Sequence, residues 1–162
     1  MDPNPYADFL GDRDAVEVLS ATSARLRDLA ARLPAEQLAV RPPEGKWYAR
    51  EIVAHLADCD LVFGYRLRQT LAEPDHVIQV FDQDHWAERY GAFDFKSALA
   101  LFLALRHANL LLIESATAED RKRPVTHPER GAMTFWTIVE TMAGHDLNHL
   151  QQLERIATSA AP

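Results

Sequence analysis

Two histidines near the C-terminal end of the chain, His145 and His149, stand four residues apart. In a helix that spacing stacks both imidazoles on one face about one turn apart, the separation at which two nitrogens can hold one divalent cation. The rest of that face is apolar, so both rings should point inward. A third histidine, His55, lies on an apolar stripe of its own. A helical bundle that buried both stripes would bring three neutral imidazoles to a common point. Such a donor set favours Zn, Ni, Fe or Mn over Mg or Ca and leaves coordination positions open for water or substrate. A competing role is that of hydrogen-bonded core histidines. The string His145-Asp146-Leu147-Asn148-His149 also imitates the H-E-x-x-H zinc-protease motif with Asp in place of Glu, but the shorter acid on an otherwise apolar bundle argues against that chemistry.

Helical geometry places Met142 and Gln152 beside the direction of His145 and His149, and Tyr48, Glu51, Cys59 and Val62 beside that of His55. Tyr48, Cys59, Met142 and Gln152 are expected to line a pocket around the metal. Glu51 is the candidate catalytic residue, as a general base or a partner for an imidazole N–H; its competing role, one turn from a helix start, is that of a solvated cap. Cys59, one turn after His55, either closes a structural His3Cys zinc centre as a thiolate or fills a small apolar site, and the apolar role is the expected one. Asp146 either reaches a ligand's N–H across the helix edge or forms a surface or interface salt bridge. Gly144 would let a neighbouring helix approach closely. Trp47, Trp86 and Trp136 are expected as core or loop anchors, and His76, His85, His107 and His127 at the surface or rim.

The elements that must position these groups follow from a helical period. Val16, Leu19, Leu26, Leu29 and Leu33 mark a first helix that ends before Pro34. After a loop containing Pro42, Pro43 and Gly45, a second helix runs from about Trp47 to Leu71 and is stopped by Pro74. The periodicity lapses between Glu73 and Phe93, where Trp86 and Tyr90 suggest a packed segment with one short helical turn. Asp94 is the expected N-cap of a third helix carrying Phe95, Ala98, Phe102, Leu105, Asn109 and Leu112. A turn region with Pro124, Pro128 and Gly131 leads to a fourth helix from about Met133 to Ala157. No strand alternation is visible. The pattern predicts one all-α domain over 1–162, a four-helix bundle with a long crossover connection between helices two and three.

Composition removes several functions. Seventeen basic residues against 24 acidic ones give a net charge of −7, which repels phosphate backbones and anionic lipid. The basic run Arg121-Lys122-Arg123 follows Glu119 and Asp120 and reads as a solvated turn, so nucleic acid is not an expected partner. The apolar stretch from Ala98 to Ile113 is interrupted by Arg106, His107 and Asn109, short of the roughly 20 apolar residues a membrane span needs. The lone cysteine cannot pair within the chain, and the N-terminal residues carry no leader pattern, so the cytoplasm is the expected compartment.

The runs "EIVAHLADCD" around His55, "FDQDHWAERYG" in the long connection, "HPERGAMT" before the fourth helix and "GHDLNHLQQLERI" within it resemble the DinB-like superfamily, in particular its DinB_2 branch. The resemblance extends from about Val16 to Ile156. It implies a four-helix bundle in which one histidine of the second helix and two of the fourth hold a divalent metal, here His55, His145 and His149. It also implies thiol chemistry, since some such proteins are S-transferases or isomerases that use bacterial low-molecular-weight thiols.

Three classes of function follow. The leading expectation is a metal-dependent enzyme in which the cation activates a low-molecular-weight thiol for attack on a small electrophile, with metal-assisted hydrolysis as the enzymatic alternative. The second is a non-catalytic, stress-related metal- or small-molecule-binding bundle. The third is a structural module whose histidines are core hydrogen-bonders. The partner expected is a small-molecule substrate, and a homodimer through an exposed helix face is compatible with a bundle of this size.

Overall fold

The computed structural model describes residues 3–33 and 46–159. The loop expected around Pro42, Pro43 and Gly45 lies outside the described residues. The elements are α1 (Ala7–Leu10), α2 (Ala15–Arg32), α3 (Ala49–Ala72), α4 (Gln83–Ala87), a 3-10 turn (Tyr90–Ala92), α5 (Phe95–Ser115), α6 (Ala118–Arg121), β1 (Pro124–His127), β2 (Gly131–Thr134) and α7 (Phe135–Ser159). The long helices α2, α3, α5 and α7 are the four read from the periodicity.

Their starts are set by side chains that satisfy otherwise orphaned backbone N–H groups. An Asp14 carboxylate oxygen accepts from the backbone N–H of Glu17 at 2.9 Å, and one from Asp94 accepts from that of Ser97 at 2.8 Å. At α3 the carboxylate comes from inside the helix: Glu51 Oε2 accepts from the Tyr48 N–H at 3.0 Å, the reciprocal half of a capping box.

The helices close into a ring. Helix α2 packs on α5 and α7, and so does α3, which leaves α2 diagonally opposite α3 and α5 opposite α7. The apolar interior forms two clusters. One gathers Leu19, Leu67, Ile113 and Phe135, the other Leu26, Leu56, Phe102 and Leu150. Between the clusters, α3 and α5 bury the polar residues Asp60, Arg106 and Asn109. There Arg106 of α5, 1% exposed, meets Asp60 of α3. Its guanidinium also donates to Asp146 of α7 and to the Leu19 carbonyl of α2. One side chain ties together all four helices, and its five N–H groups are all used. Sequence reasoning treated Arg106 as an interruption of an apolar run. By length and composition alone α5 is long and apolar enough to cross a membrane, with mean hydropathy 1.4 over its best window; in this bundle it buries the face carrying Arg106 and Asn109.

Two short strands correct the expectation of a chain without any. Strands β1 and β2 form an antiparallel hairpin with Val125 opposite Met133 and His127 opposite Gly131. Gly131 adopts φ of +80°, a conformation open to glycine and strained for other residues. The period of two runs for only four residues in each strand, too few to stand out from turn sequence. Because Met133 belongs to the hairpin, α7 begins at Phe135. The long connection docks on the outer edge of β1, where Thr126 donates to the His76 carbonyl and accepts from Ile78.

Candidate metal centre

Helices α3 and α7 meet at His55 and His145, whose Nε2 atoms lie 3.0 Å apart. Cys59, one turn along α3, sets its Sγ 3.5 Å from His55 Nε2 and 3.7 Å from His145 Nε2. Two nitrogens held about 2.1 Å from one tetrahedral ion sit roughly 3.4 Å apart, and a thiolate sulfur at about 2.3 Å sits roughly 3.6 Å from each of them. The two sulfur distances match that geometry, and the two nitrogens stand about 0.4 Å closer than it requires. His55, Cys59 and His145 form the compact donor group, and His149 adjoins it from the next turn of α7, with its ring centroid 4.8 Å from that of His55 and 4.5 Å from that of His145. Its Nδ1 is buried and has no hydrogen-bond partner. A buried, orphaned imidazole nitrogen is costly unless something accepts or supplies a bond there. The donor set therefore fits a divalent transition metal.

Electrostatics point the same way. Burial pushes His55 down to about 3, with His149 adding to the effect. It likewise pushes His149 down to about 4 and His145 well below the ordinary histidine range. At neutral pH all three rings are uncharged, the form that coordinates. The Cys59 thiol is driven well up by burial, then by Asp60, Asp58 and Asp146, so without a cation it keeps its proton.

The surrounding shell holds these rings in place. Trp47 stacks parallel to His149 at 6.2 Å and lies 4.6 Å from His55. Tyr6 of the N-terminal segment meets His145 edge-on at 5.1 Å. It can do so because position 144 is glycine: a Cβ there would stand 2.7 Å from Tyr6 Cβ. The close approach foreseen at Gly144 is thus made by the N-terminal segment rather than by another long helix.

A cavity of about 460 Å³ opens onto Cys59 and His145 and is bounded by Phe63, Arg66, Phe81 and His127. The residues assigned to a pocket by the helical wheel divide. Cys59 lies among the donors rather than in a purely apolar site. Gln152 stays near His149 and donates to Asn148 Oδ1 at 3.3 Å. Met142 is in the apolar core at 1% exposure. Tyr48 sits at the helix start with the Arg50 guanidinium 4.5 Å over its ring, and Glu51 serves the cap, with Arg50 3.5 Å away.

Three further expectations are corrected. Asp146 forms neither a surface nor an interface salt bridge: it is 2% exposed and paired with Arg106. His76 and His127 are buried, not at the surface, because the long connection folds back along the hairpin and covers them. His85 and His107 are exposed as expected. Tyr6, Arg66, His127 and Arg130, which line the cavity, were missed. Tyr6, His127 and Arg130 belong to the N-terminal segment and the hairpin, which no helical wheel can place.

The family model described as the DinB superfamily matches residues 19–153. The chain belongs to the DinB superfamily. Among curated DinB relatives, a protein of Oceanobacillus iheyensis is 29% identical over 129 residues, 79% of this chain and 75% of the relative. One of Bacillus licheniformis is 30% identical over 132 residues, 80% and 75% of the two chains. Both carry the name "Putative metal-dependent hydrolase". The solved structure of YfiT from Bacillus subtilis superposes with a TM-score of 0.77 at 25% identity, covering 87% of this chain and 84% of that one. It is described as a probable metal-dependent hydrolase with an unusual four-helix bundle topology. The DinB bundle read from the sequence is thus the observed fold.

Proposed function

We propose that this chain is a metal-dependent enzyme in which His55, His145 and His149, with Cys59 beside them, hold one divalent transition metal (Zn, Ni, Fe or Mn), and a low-molecular-weight thiol attacks a small electrophile in the adjoining cavity. The observation that carries the reading is the buried, uncharged donor cluster at the floor of a cavity of about 460 Å³. That volume falls in the range of small-molecule sites, roughly 300–1,000 Å³, and exceeds what a water molecule requires. A bound cation would supply positive charge that lowers the pKa of a neighbouring thiol or water toward neutrality. The chain's own residues do the remaining work. Burial keeps the imidazole lone pairs free of protons, Trp47 and Tyr6 fix the ring planes, and Phe63, edge-on to His145 at 6.1 Å, forms the cavity wall beside the cluster. Glu51 is occupied by the cap and has no role in this scheme.

A second reading, hydrolysis, is favoured by the names of the relatives. The two separate in one experiment. Metal-loaded protein is given a bacterial thiol and a chloroarene, so that a C–S bond forms, chloride leaves and the thiol proton passes to solvent; parallel samples contain ester substrates without thiol. Thiol transfer predicts turnover only with thiol, with an inflection below the free-thiol value of about 8.5, lost in metal-free protein and in His149→Ala. Turnover of esters without thiol would replace this reading by hydrolysis. Full metal occupancy with neither activity would leave a binding protein. Glu51→Gln should leave turnover unchanged.

For assembly, a second copy of the chain is the partner proposed for the outer surfaces of α3 and α5, where Leu61, Tyr65, Leu101 and Leu111 stand 41–57% exposed. Light scattering should give twice the mass of 18.3 kDa, and Leu111→Glu should halve it.

A further inference from the structure

We infer that the cavity beside the histidine cluster holds an oxyanion, a carboxylate or phosphate group of the molecule that reacts there, and that Arg66 and Arg130 are its specificity-determining residues. The inference rests on the proposed function for what happens at the cluster, and on separate observations for the anion.

The first observation is Arg66. The residue is 7% exposed, yet its Nε is buried without a hydrogen-bond partner. One Nη2 donates to the Gln79 carbonyl at 3.2 Å, and the guanidinium carbon lies 5.7 Å from the Phe63 ring and 5.8 Å from the Phe81 ring. Two aromatic faces and one backbone carbonyl thus position a planar cation whose remaining donors are unspent. No ion pair of Arg66 or Arg130 is found among the described residues. A buried guanidinium is ordinarily paired, because leaving it unpaired forfeits its hydration without compensation. Arg106, in the same molecule, shows the usual arrangement with two carboxylates.

The second observation is the company Arg66 keeps. Arg130 lines the same cavity, and the two cations repel each other enough to help burial push Arg66 down to about 10, still charged at neutral pH. His127 also lines it. Its Nδ1 accepts from the Glu129 backbone N–H at 3.2 Å, which places the ring proton on Nε2 and makes the outer nitrogen a donor. Two carboxylates, Asp82 and Glu129, also line the cavity. Asp82 directs Oδ1 to the backbone N–H groups of Asp84 and His85, Glu129 is exposed, and among the described residues neither forms an ion pair with Arg66 or Arg130. The cavity wall therefore brings two guanidinium groups and an imidazole N–H together with Cys59 and His145, with Asp82 and Glu129 also lining it. An oxyanion seated on Arg66, in the forked geometry that guanidinium favours, would hold the rest of its molecule toward the histidine cluster.

The test is calorimetric titration of the chelated, metal-free protein with succinate, inorganic phosphate and succinamide, so that no cation contributes. Succinate or phosphate should bind and the uncharged succinamide should not. Tighter binding of succinate would identify a carboxylate, tighter binding of phosphate a phosphoryl group. Arg66→Gln and Arg130→Gln should each weaken the bound anion by about tenfold or more, while Arg25→Gln, at the remote pair with Glu154, should not. Because Arg66 is buried, Arg66→Lys and the exposed Arg130→Gln carry the test if Arg66→Gln fails to fold. Metal content of the folded variants should match that of the parent. Binding of neither anion, equal binding of succinamide, or unaltered binding in both arginine positions would overturn the inference. Anion binding that persists in a protein without metal-dependent turnover would instead overturn the proposed function alone.

Discussion

At the scale of single residues, the donors differ in how much each should matter. His55 and His145 are the pair in direct register, so alanine at either should abolish stoichiometric metal binding, measured by elemental analysis of protein purified without an affinity tag. His149→Ala should reduce affinity strongly, and His107→Ala, at an exposed position, should have no effect. Cys59→Ser discriminates two centres: a fourfold lower affinity or less makes Cys59 a neighbour, whereas loss of metal makes it a ligand. The same residues set a pH dependence. Their folded-state values lie below the unfolded value of about 6.5, at about 3 for His55 and about 4 for His149. Between those limits the unfolded chain binds more protons than the folded one, so stability rises with pH. For chelated protein this contribution is complete above about pH 6.5 and should decline as the pH falls toward 4, as followed by denaturant melts at a series of pH values. The histidines were legible because spacing and an apolar face suffice to place them. Arg66 and His127 were not, since their roles depend on segments that meet only after folding.

At the scale of elements, the ion cluster of Arg106 decides how the helices are clamped around the site. Asp60 directly follows Cys59 and Asp146 directly follows His145, so the arginine that joins the two carboxylates also fixes the relative height of α3 and α7 at the donors. Burial raises Asp60, and Arg106 opposes that shift; Asn109 adds a hydrogen bond to Asp60 Oδ1 at 3.0 Å. Arg106→Leu would leave two buried carboxylates facing each other, and should cost about 3–5 kcal/mol in urea unfolding. Metal affinity should fall with it. The triple variant Arg106→Leu, Asp60→Leu, Asp146→Leu should recover most of the stability, because an apolar cluster replaces a buried ionic one. If it recovers stability but not metal affinity, the cluster's role is registration of the donors. Caps and helical periods made the long helices legible to within about two residues. The clamp was not, because a charged residue in an apolar run looks like an interruption until its partners are known.

At the scale of the whole molecule, the question is whether metal and fold are separable. The apolar clusters reach along all four long helices, and Leu19, Leu26, Phe102, Phe135 and Leu150 are completely buried with no part in the metal centre. A fold held by that much buried apolar surface does not require a cation, unlike a small zinc domain. Metal bound only to the native state still adds stability by mass action, about 4 kcal/mol at a thousandfold excess over Kd. For a chain of this length each kcal/mol moves the melting temperature by about 2–4 °C. Chelation should therefore lower the midpoint by on the order of 10 °C, while far-UV circular dichroism at 25 °C keeps its helical amplitude. Near-UV signals should change locally, since Trp47 stacks on His149. Restoring the cation should restore the midpoint in proportion to the logarithm of its free concentration. A helical signal that collapses on chelation would mean that the cluster organises the bundle, turning the centre from a site placed in a fold into the structural core of one.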